Sequence, residues 1–295
     1  MPVQTLDFTD HRRQLHANRY IYAVVSRRSR GLSIGVNLNP DKVCNFSCPY
    51  CQVDRTIPGG DRDVDVGLLG SELESLLTLV ESDSLWQIAP FDTASAELRR
   101  VRDLTIAGDG EPSACPQFSE AIDSLGQICA AHGLRFGPDN PLKLNLMTNA
   151  TLFHRPKVWD AVVRFGDLGG EVWAKLDAGT QSYFEQVDGT RLSLDRVVRN
   201  IARAAAHRPL VLQCLFMSWE GEGPSEDEIS AWTGRLQEIL DAGGHIRLVQ
   251  VYTLARRPAD PRAGILPVTA LDAIAGHVRD LGLEVEVIAG VNWES

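Results

Sequence analysis

The chain lacks any apolar stretch long enough to cross a bilayer; its most apolar runs, LTIAG and LVLQCLFM, are of strand length. No membrane association is therefore expected. The amino-terminal segment MPVQTLDFTDHRR is polar and charged and has no apolar core of the kind a signal peptide carries, so a cytoplasmic location is expected. There thiols stay reduced, which excludes a disulfide scaffold. Positive charge is also in deficit, with 29 Lys and Arg against 39 Asp and Glu and a net charge of −10. That balance argues against nonspecific nucleic-acid binding through a basic surface, though not against a local basic groove. A second pair of metal ligands is missing too. After Cys51 the next cysteine is Cys115 and the next histidine His132, whereas a structural zinc site takes four ligands, typically as two close pairs.

Three thiols are nonetheless packed into one short run, CNFSCPYC, as Cys44, Cys48 and Cys51. A cubane iron–sulfur cluster is normally held by four thiolates, one on each iron, so three leave one iron open to something other than protein. An open metal position is a place for chemistry. Zinc and unligated core thiols are the competing readings. Cys115, Cys129 and Cys214 are scattered singly and read as small buried apolar residues.

The spacing Cys44-x3-Cys48-x2-Cys51, with aromatic Tyr50 just before the last cysteine, resembles the signature of the radical S-adenosylmethionine (SAM) superfamily. Its surroundings agree. A strand-like run in LSIGVNLNP delivers the loop from a strand's carboxyl end. Downstream, LTIAGDGEPS places Gly108, Asp109, Gly110, Glu111 and Pro112 at the end of another strand, similar to the family's glycine-glutamate-proline motif. Within the superfamily, GDGEPS, MTNAT, KLDAG and VQVYTLARRP resemble, in order, the single-domain branch related to tRNA-wyosine synthases. Archaeal wyosine synthases carry a second cluster built from extra cysteines upstream, and here no cysteine precedes Cys44. The branch thus implies kinship rather than activity.

From Gly31 onward short apolar runs alternate with helical patterns, as in repeated βα units with a parallel sheet. Strands are expected near 33–38, 101–107, 142–148, 171–177, 210–217 and 246–252. Helices are expected near 69–81, 116–132, 156–165, 192–207, 226–242 and 269–281, with a capped start at Ser225 and an excursion from Ser82 to Arg100. The class is α/β, and six such units fit the partial (β/α)6 barrel of parallel strands that the resemblance implies. One domain, 31–295, is expected to follow a basic extension over 1–30. That extension carries Arg12, Arg13, Arg19, Arg27, Arg28 and Arg30 and is read as a solvated face before a phosphate-binding one.

In parallel α/β folds ligands sit at the carboxyl ends of strands. That rule selects Thr148 and Asn149, Lys175 and Asp177, Met217 and Ser218, Gln250 and Tyr252, and then Arg256 and Arg257 in the following loop. Lys175 lies within an otherwise apolar strand, so it must reach water or be paired; desolvated, a lysine can also form a Schiff base. Lys175 and Asp177 are the candidates for catalysis.

The resemblance implies that Cys44, Cys48 and Cys51 hold a [4Fe–4S] cluster whose open iron chelates SAM. Tyr50 then packs near the adenine, Gly108, Asp109, Gly110 and Glu111 meet the methionyl amino group, and Asn149 and Gln250 complete the cofactor-binding set. It further implies an external reductant such as flavodoxin or ferredoxin, and reductive cleavage of SAM to a 5′-deoxyadenosyl radical that abstracts hydrogen. A small-molecule or peptide substrate is favoured by the overall acidity; the alternative is a tRNA base, as in wyosine synthesis. A non-catalytic iron–sulfur or zinc module would have no need of GDGEPS.

Overall fold

The computed structural model describes residues 15, 18–26, 30–137 and 139–291. Over these residues the chain falls into two compact units, one of Met1–Val43, Gly59–Met147 and Arg155–Glu171, the other of Cys44–Pro58, Thr148–His154 and Val172–Ser295. The cysteine run therefore belongs to the second unit. Of the amino-terminal arginines, Arg12, Arg13, Arg27 and Arg28 lie outside the described residues. Arg19 is paired with Asp61 at 2.7 Å.

The first unit carries strands β1 (Ile21–Ser26), β2 (Gly31–Val36), β3 (Val101–Ile106) and β4 (Lys143–Thr148), in that spatial order. Strand β1 runs antiparallel to β2, and β2, β3 and β4 are parallel. Leu32, Ile34 and Val36 of β2 are fully buried and, as every second residue, share one face of the strand. Helices α1 (Val66–Glu81), α2 (Phe118–Ala131) and α3 (Pro156–Asp167) follow β2, β3 and β4. Asp65 caps α1 by accepting from the Leu68 N–H. The excursion after α1 consists of short 3-10 turns at Ser84–Gln87, Phe91–Thr93 and Ala96–Leu98 that bury Leu85, Trp86, Phe91 and Leu98. Strand β1 accords with the reading of the amino-terminal segment as a solvated helix and strand, for which no bounds were expected.

The second unit carries β5 (Glu171–Lys175), β6 (Leu210–Leu215), β8 (Ile246–Tyr252) and β10 (Val285–Ile288), again in that order and parallel. A small antiparallel ribbon pairs β7 (Ser218–Trp219) with β9 (Ala263–Gly264). Its helices are α4 (Gln181–Asp188), α5 (Leu194–His207), α6 (Glu226–Asp241) and α7 (Val268–Asp280). Helix α5 shows why the sequence pattern works: Leu194, Val197, Val198, Ile201 and Ala205 recur at helical spacing and are buried. Ser225 caps α6, with Glu226, Asp227 and Glu228 in its first turn, where acids favour the positive helix end.

The expected six βα units are present, and the class is α/β with mostly parallel strands. Two boundaries differ in an instructive way. The strand expected over 171–177 ends at Lys175, because the Asp177 carboxylate takes the Leu215 N–H at 3.0 Å in place of a backbone carbonyl. The following segment then turns into α4, which the expected helices omitted although Thr180 caps its start and Gly189, in a left-handed conformation, ends it.

The amino-terminal strand is held by one carboxylate. Glu72 of α1, buried to 8% exposure, accepts from the backbone N–H groups of Arg19 at 2.7 Å, Tyr20 at 2.9 Å and Ile21 at 3.0 Å. Removing it leaves buried donors without partners. Glu72→Ala should lower unfolding free energy by about 3 kcal/mol in denaturant titration; Glu72→Gln, which keeps an acceptor oxygen, should lose less.

Candidate functional site

The cysteine run forms an irregular loop in the second unit; none of its three thiols is in a disulfide and all are partly exposed, whereas Cys115, Cys129 and Cys214, also in no disulfide, are buried. Three surrounding segments hold the loop. From the MTNAT turn after β4, the Asn149 amide donates to Asn45 Oδ1 at 2.6 Å, and Asn45 Nδ2 donates to Thr151 Oγ1 at 2.5 Å. Ala150 between them has φ 56°, and Asn200 of α5 supports it by donating to the Ala150 and Thr151 carbonyls at 2.8 and 3.1 Å. After β8, the Asp260 N–H bonds the Pro49 carbonyl at 3.0 Å, and Gln52 Nε2 donates to the Arg257 carbonyl at 3.0 Å.

The third segment brings buried charge. Lys175 Nζ bonds Asp177 Oδ2 closely and lies 2.8 Å from Asp188 Oδ1; both carboxylates are essentially fully buried. Tyr50 turns its hydroxyl onto Asp177 Oδ2, and its ring covers the ammonium with 4.5 Å from Nζ to the ring centroid. Cys48 Sγ lies 3.5 Å from Asp188 Oδ1. Burial by itself would favour a neutral lysine, but Asp177 and Asp188 outweigh it and hold Lys175 firmly as an ammonium. Burial raises both carboxyls above the usual carboxylate range, against the pull of Lys175. It also pushes the Cys48 thiol up.

In the first unit, the GDGEP segment is built on close backbone approach. A side chain at Gly108 would lie 2.0 Å from Asn37 Oδ1, and one at Gly110 2.0 Å from the Val43 carbonyl oxygen. Asn37 grips Asp109 twice, donating to its carboxylate at 2.8 Å and accepting from its N–H at 3.1 Å. The Glu111 N–H bonds the Val43 carbonyl at 3.2 Å, and Val43 is the residue immediately before Cys44. Glu111 is 2% exposed and caps its own turn, accepting from the Ser113 N–H at 3.1 Å and from the Ser113 hydroxyl.

Sequence reasoning thus selected Tyr50, Asn149, Lys175 and Asp177, which meet around the cysteine loop. Gln250 is placed differently: it accepts from Gln213 at 3.2 Å and donates to Glu286 at 2.8 Å, along a polar row in which Lys175, Gln213, Gln250 and Glu286 stand in register on adjacent strands. Asn45, Thr151 and Asp188 were missed. For Asp188 the signal was the Asp-Gly pair that closes α4.

As to a cluster, the donor set fits. Thiolates are the normal ligands of iron–sulfur clusters, and the Arg55 guanidinium, donating to Cys51 Sγ at 3.1 Å, suits an anionic centre. Among the described residues, no group of three or more His, Cys, Asp or Glu side chains is placed to hold a metal ion.

No protein-family model matches the chain. A UPF0026 protein of Helicobacter pylori strain J99 is 28% identical over 169 residues, which are 57% of this chain and 46% of the relative. The chain spans about half the length of that curated relative. A radical SAM methyltransferase from Sphaerobacter thermophilus superposes with a TM-score of 0.62 at 15% identity, over 91% of this chain and 68% of that one. The chain has the radical SAM fold. A TYW1 structure with a lysine–pyruvate adduct bound shares this fold at a TM-score of 0.51 and 11% identity, over 91% of this chain and 85% of that one. The fold that the cysteine spacing and GDGEPS led us to expect is thereby borne out. No helix among the described residues is long and apolar enough to cross a membrane.

The radical SAM fold of this chain separates two classes of cysteine. Burial raises the thiols of Cys115 and Cys129 to about 11 and about 12, and thiolate is the reactive form. Iodoacetamide treatment of the metal-free folded protein should label Cys44 and Cys51 first and Cys48 more slowly. Mass spectrometry should find Cys115, Cys129 and Cys214 labelled only after denaturation.

Proposed function

We propose that this chain is a radical SAM enzyme in which Cys44, Cys48 and Cys51 hold a [4Fe–4S] cluster and the Gly108–Asp109–Gly110–Glu111 turn receives the methionyl end of SAM. The observation that supports the reading lies in the first unit: the carbonyl of Val43, the residue before Cys44 in the chain, is bonded by the Glu111 N–H and closely approached by Gly110. When bound, the cluster supplies an electron, received from a reductant such as flavodoxin or ferredoxin, for reductive cleavage of SAM and hydrogen abstraction from the substrate. The protein's share is positioning. Asn149 and Thr151 fix Asn45 at the start of the loop, and Asp177 fixes Tyr50 near its end.

Lys175 is a structural ammonium in this reading. Held as an ammonium between Asp177 and Asp188, Lys175 must first pass a proton to one of them before it can attack a carbonyl, which disfavours the pyruvate chemistry suggested by kinship with TYW1. A small-molecule or peptide substrate accords better with the acidity of the chain, and a tRNA base is the alternative.

Protein reconstituted without oxygen should contain about four irons per chain, bleach with dithionite and change its electron paramagnetic signal when SAM is added. Stoichiometric zinc with no response to SAM would overturn the reading. Cys48→Ala should abolish the signal and turnover, whereas Cys214→Ala should leave both nearly intact.

Two further measurements bear on individual residues. Glu111→Ala should retain iron yet weaken SAM binding by about 1.5–3 kcal/mol, the value of a charge-assisted hydrogen bond, in anaerobic titration. Unchanged affinity would reduce Glu111 to the cap of its own turn. Incubation with pyruvate and borohydride should add no mass to Lys175; a trapped adduct there would restore the wyosine-type reaction.

A further inference from the structure

The end of helix α4 is shaped around the cysteine loop to a degree that a simple helix terminus does not need. The Asp188 carbonyl accepts from the Ser47 N–H at 3.0 Å. Gly189 follows with φ 57°, and any side chain there would stand 2.2 Å from the Ser47 carbonyl oxygen. Thr190 Oγ1 then donates to the Asn45 carbonyl at 3.1 Å. Phe184, one turn earlier, meets the Phe46 ring edge-on at 5.4 Å between centroids. Asp188 and Thr190 thus bond backbone on both sides of Phe46, Gly189 between them lies close against Ser47, and the Asp188 carboxylate lies beside Cys48.

This turn is itself immobilised at both ends of its helix. Asp188 is tied to Lys175 of β5. At the start of α4, Glu228 of α6 accepts from the Gly179 N–H at 2.5 Å and from the Thr180 hydroxyl at 2.5 Å, and a side chain at Gly179 would meet the Trp232 backbone nitrogen at 2.0 Å.

We infer that Asp188, Gly189 and Thr190 are positioning residues for the cluster: their turn holds the backbone of the cysteine loop from Asn45 to Ser47 before iron arrives, and Asp188 places a carboxylate beside Cys48. The inference rests on the proposed radical SAM function. Partners of metal ligands beyond the ligands themselves commonly change metal affinity by about 10–100-fold when altered, and charge near the sulfurs sets cluster potential.

The test compares full-length variants reconstituted anaerobically, measuring iron and sulfide content, loss of iron to a chelator and the midpoint potential of the cluster. Gly189→Ala should lose iron at least about 10-fold faster than the unaltered protein. Gly133→Ala is the control, because Gly133 has φ +67° with nothing within 4 Å of an added Cβ; it carries the same backbone strain away from the loop and should retain iron normally. Thr190→Val removes the hydroxyl donor without crowding the loop, and should also speed iron loss; it carries the test if Gly189→Ala does not fold. Asp188→Asn should shift the midpoint potential to a less negative value, a change that a purely structural role would not produce. An unaltered protein that takes up no iron would overturn the proposed function and this inference together. A loaded unaltered protein matched by Gly189→Ala and Thr190→Val in iron retention, and by Asp188→Asn in potential, would overturn the inference alone.

Discussion

The second unit is organised by the need to neutralise one buried ammonium. Lys175 ends a strand between the apolar Ala174 and Leu176, and a charge withdrawn from water is costly unless paired and hydrogen-bonded. Its partners come from different places in the chain: Asp177 just past the strand and Asp188 at the far end of α4. Because each of those carboxylates also binds something else, the Leu215 N–H and Tyr50 for one and Cys48 for the other, satisfying the lysine fixes the strand end, the helix and the loop together. Such a network contributes little net stability compared with apolar packing. What it provides is a defined arrangement, with the cysteine loop as its outermost member.

Carboxylates reaching backbone N–H groups recur throughout the molecule. Glu72 holds the entry to β1, Asp177 closes the β5–β6 pairing, Glu111 caps its own turn and Glu228 anchors the turn into α4. In each case a side chain does what a ladder of strand or helix hydrogen bonds cannot, because the backbone there is leaving regular structure. These are the places where the chain turns toward, or supports, the two motifs. The acidity of the sequence is therefore partly internal: several of the acids that make the net charge negative are occupied with main-chain donors.

Much of this was legible from the residues. Apolar periodicity located β2, β3, β4, β6 and β8 and helices such as α5, since their burial follows the same 2- and 3.6-residue repeats that the sequence displays. The cysteine spacing and GDGEP identified the two motifs because glycines and thiols have few other reasons to cluster so. Helix α4 escaped notice because it is short and follows the strand after a brief turn. The roles of Asn45, Thr151 and Asp188 were illegible for another reason: each depends on a partner brought near only by folding, and the local sequence marks at most a turn, as the Asp188-Gly189 pair does at the end of α4. The destination of the Gln250 side chain, along the sheet to Gln213 and Glu286, likewise follows from strand register and not from position in a motif.

The seat of the cysteine loop also orders events in time. Cys48 and Asp188 are 140 residues apart in the chain, and Asn45 and Thr190 are 145 apart. During synthesis, which proceeds at about 5–20 residues per second, the three thiols leave the ribosome well before the turn that shapes their loop exists. For that interval the three thiols lack the turn that holds their loop. Under the proposed function, cluster assembly would thus be a task for the completed second unit and not for the nascent chain.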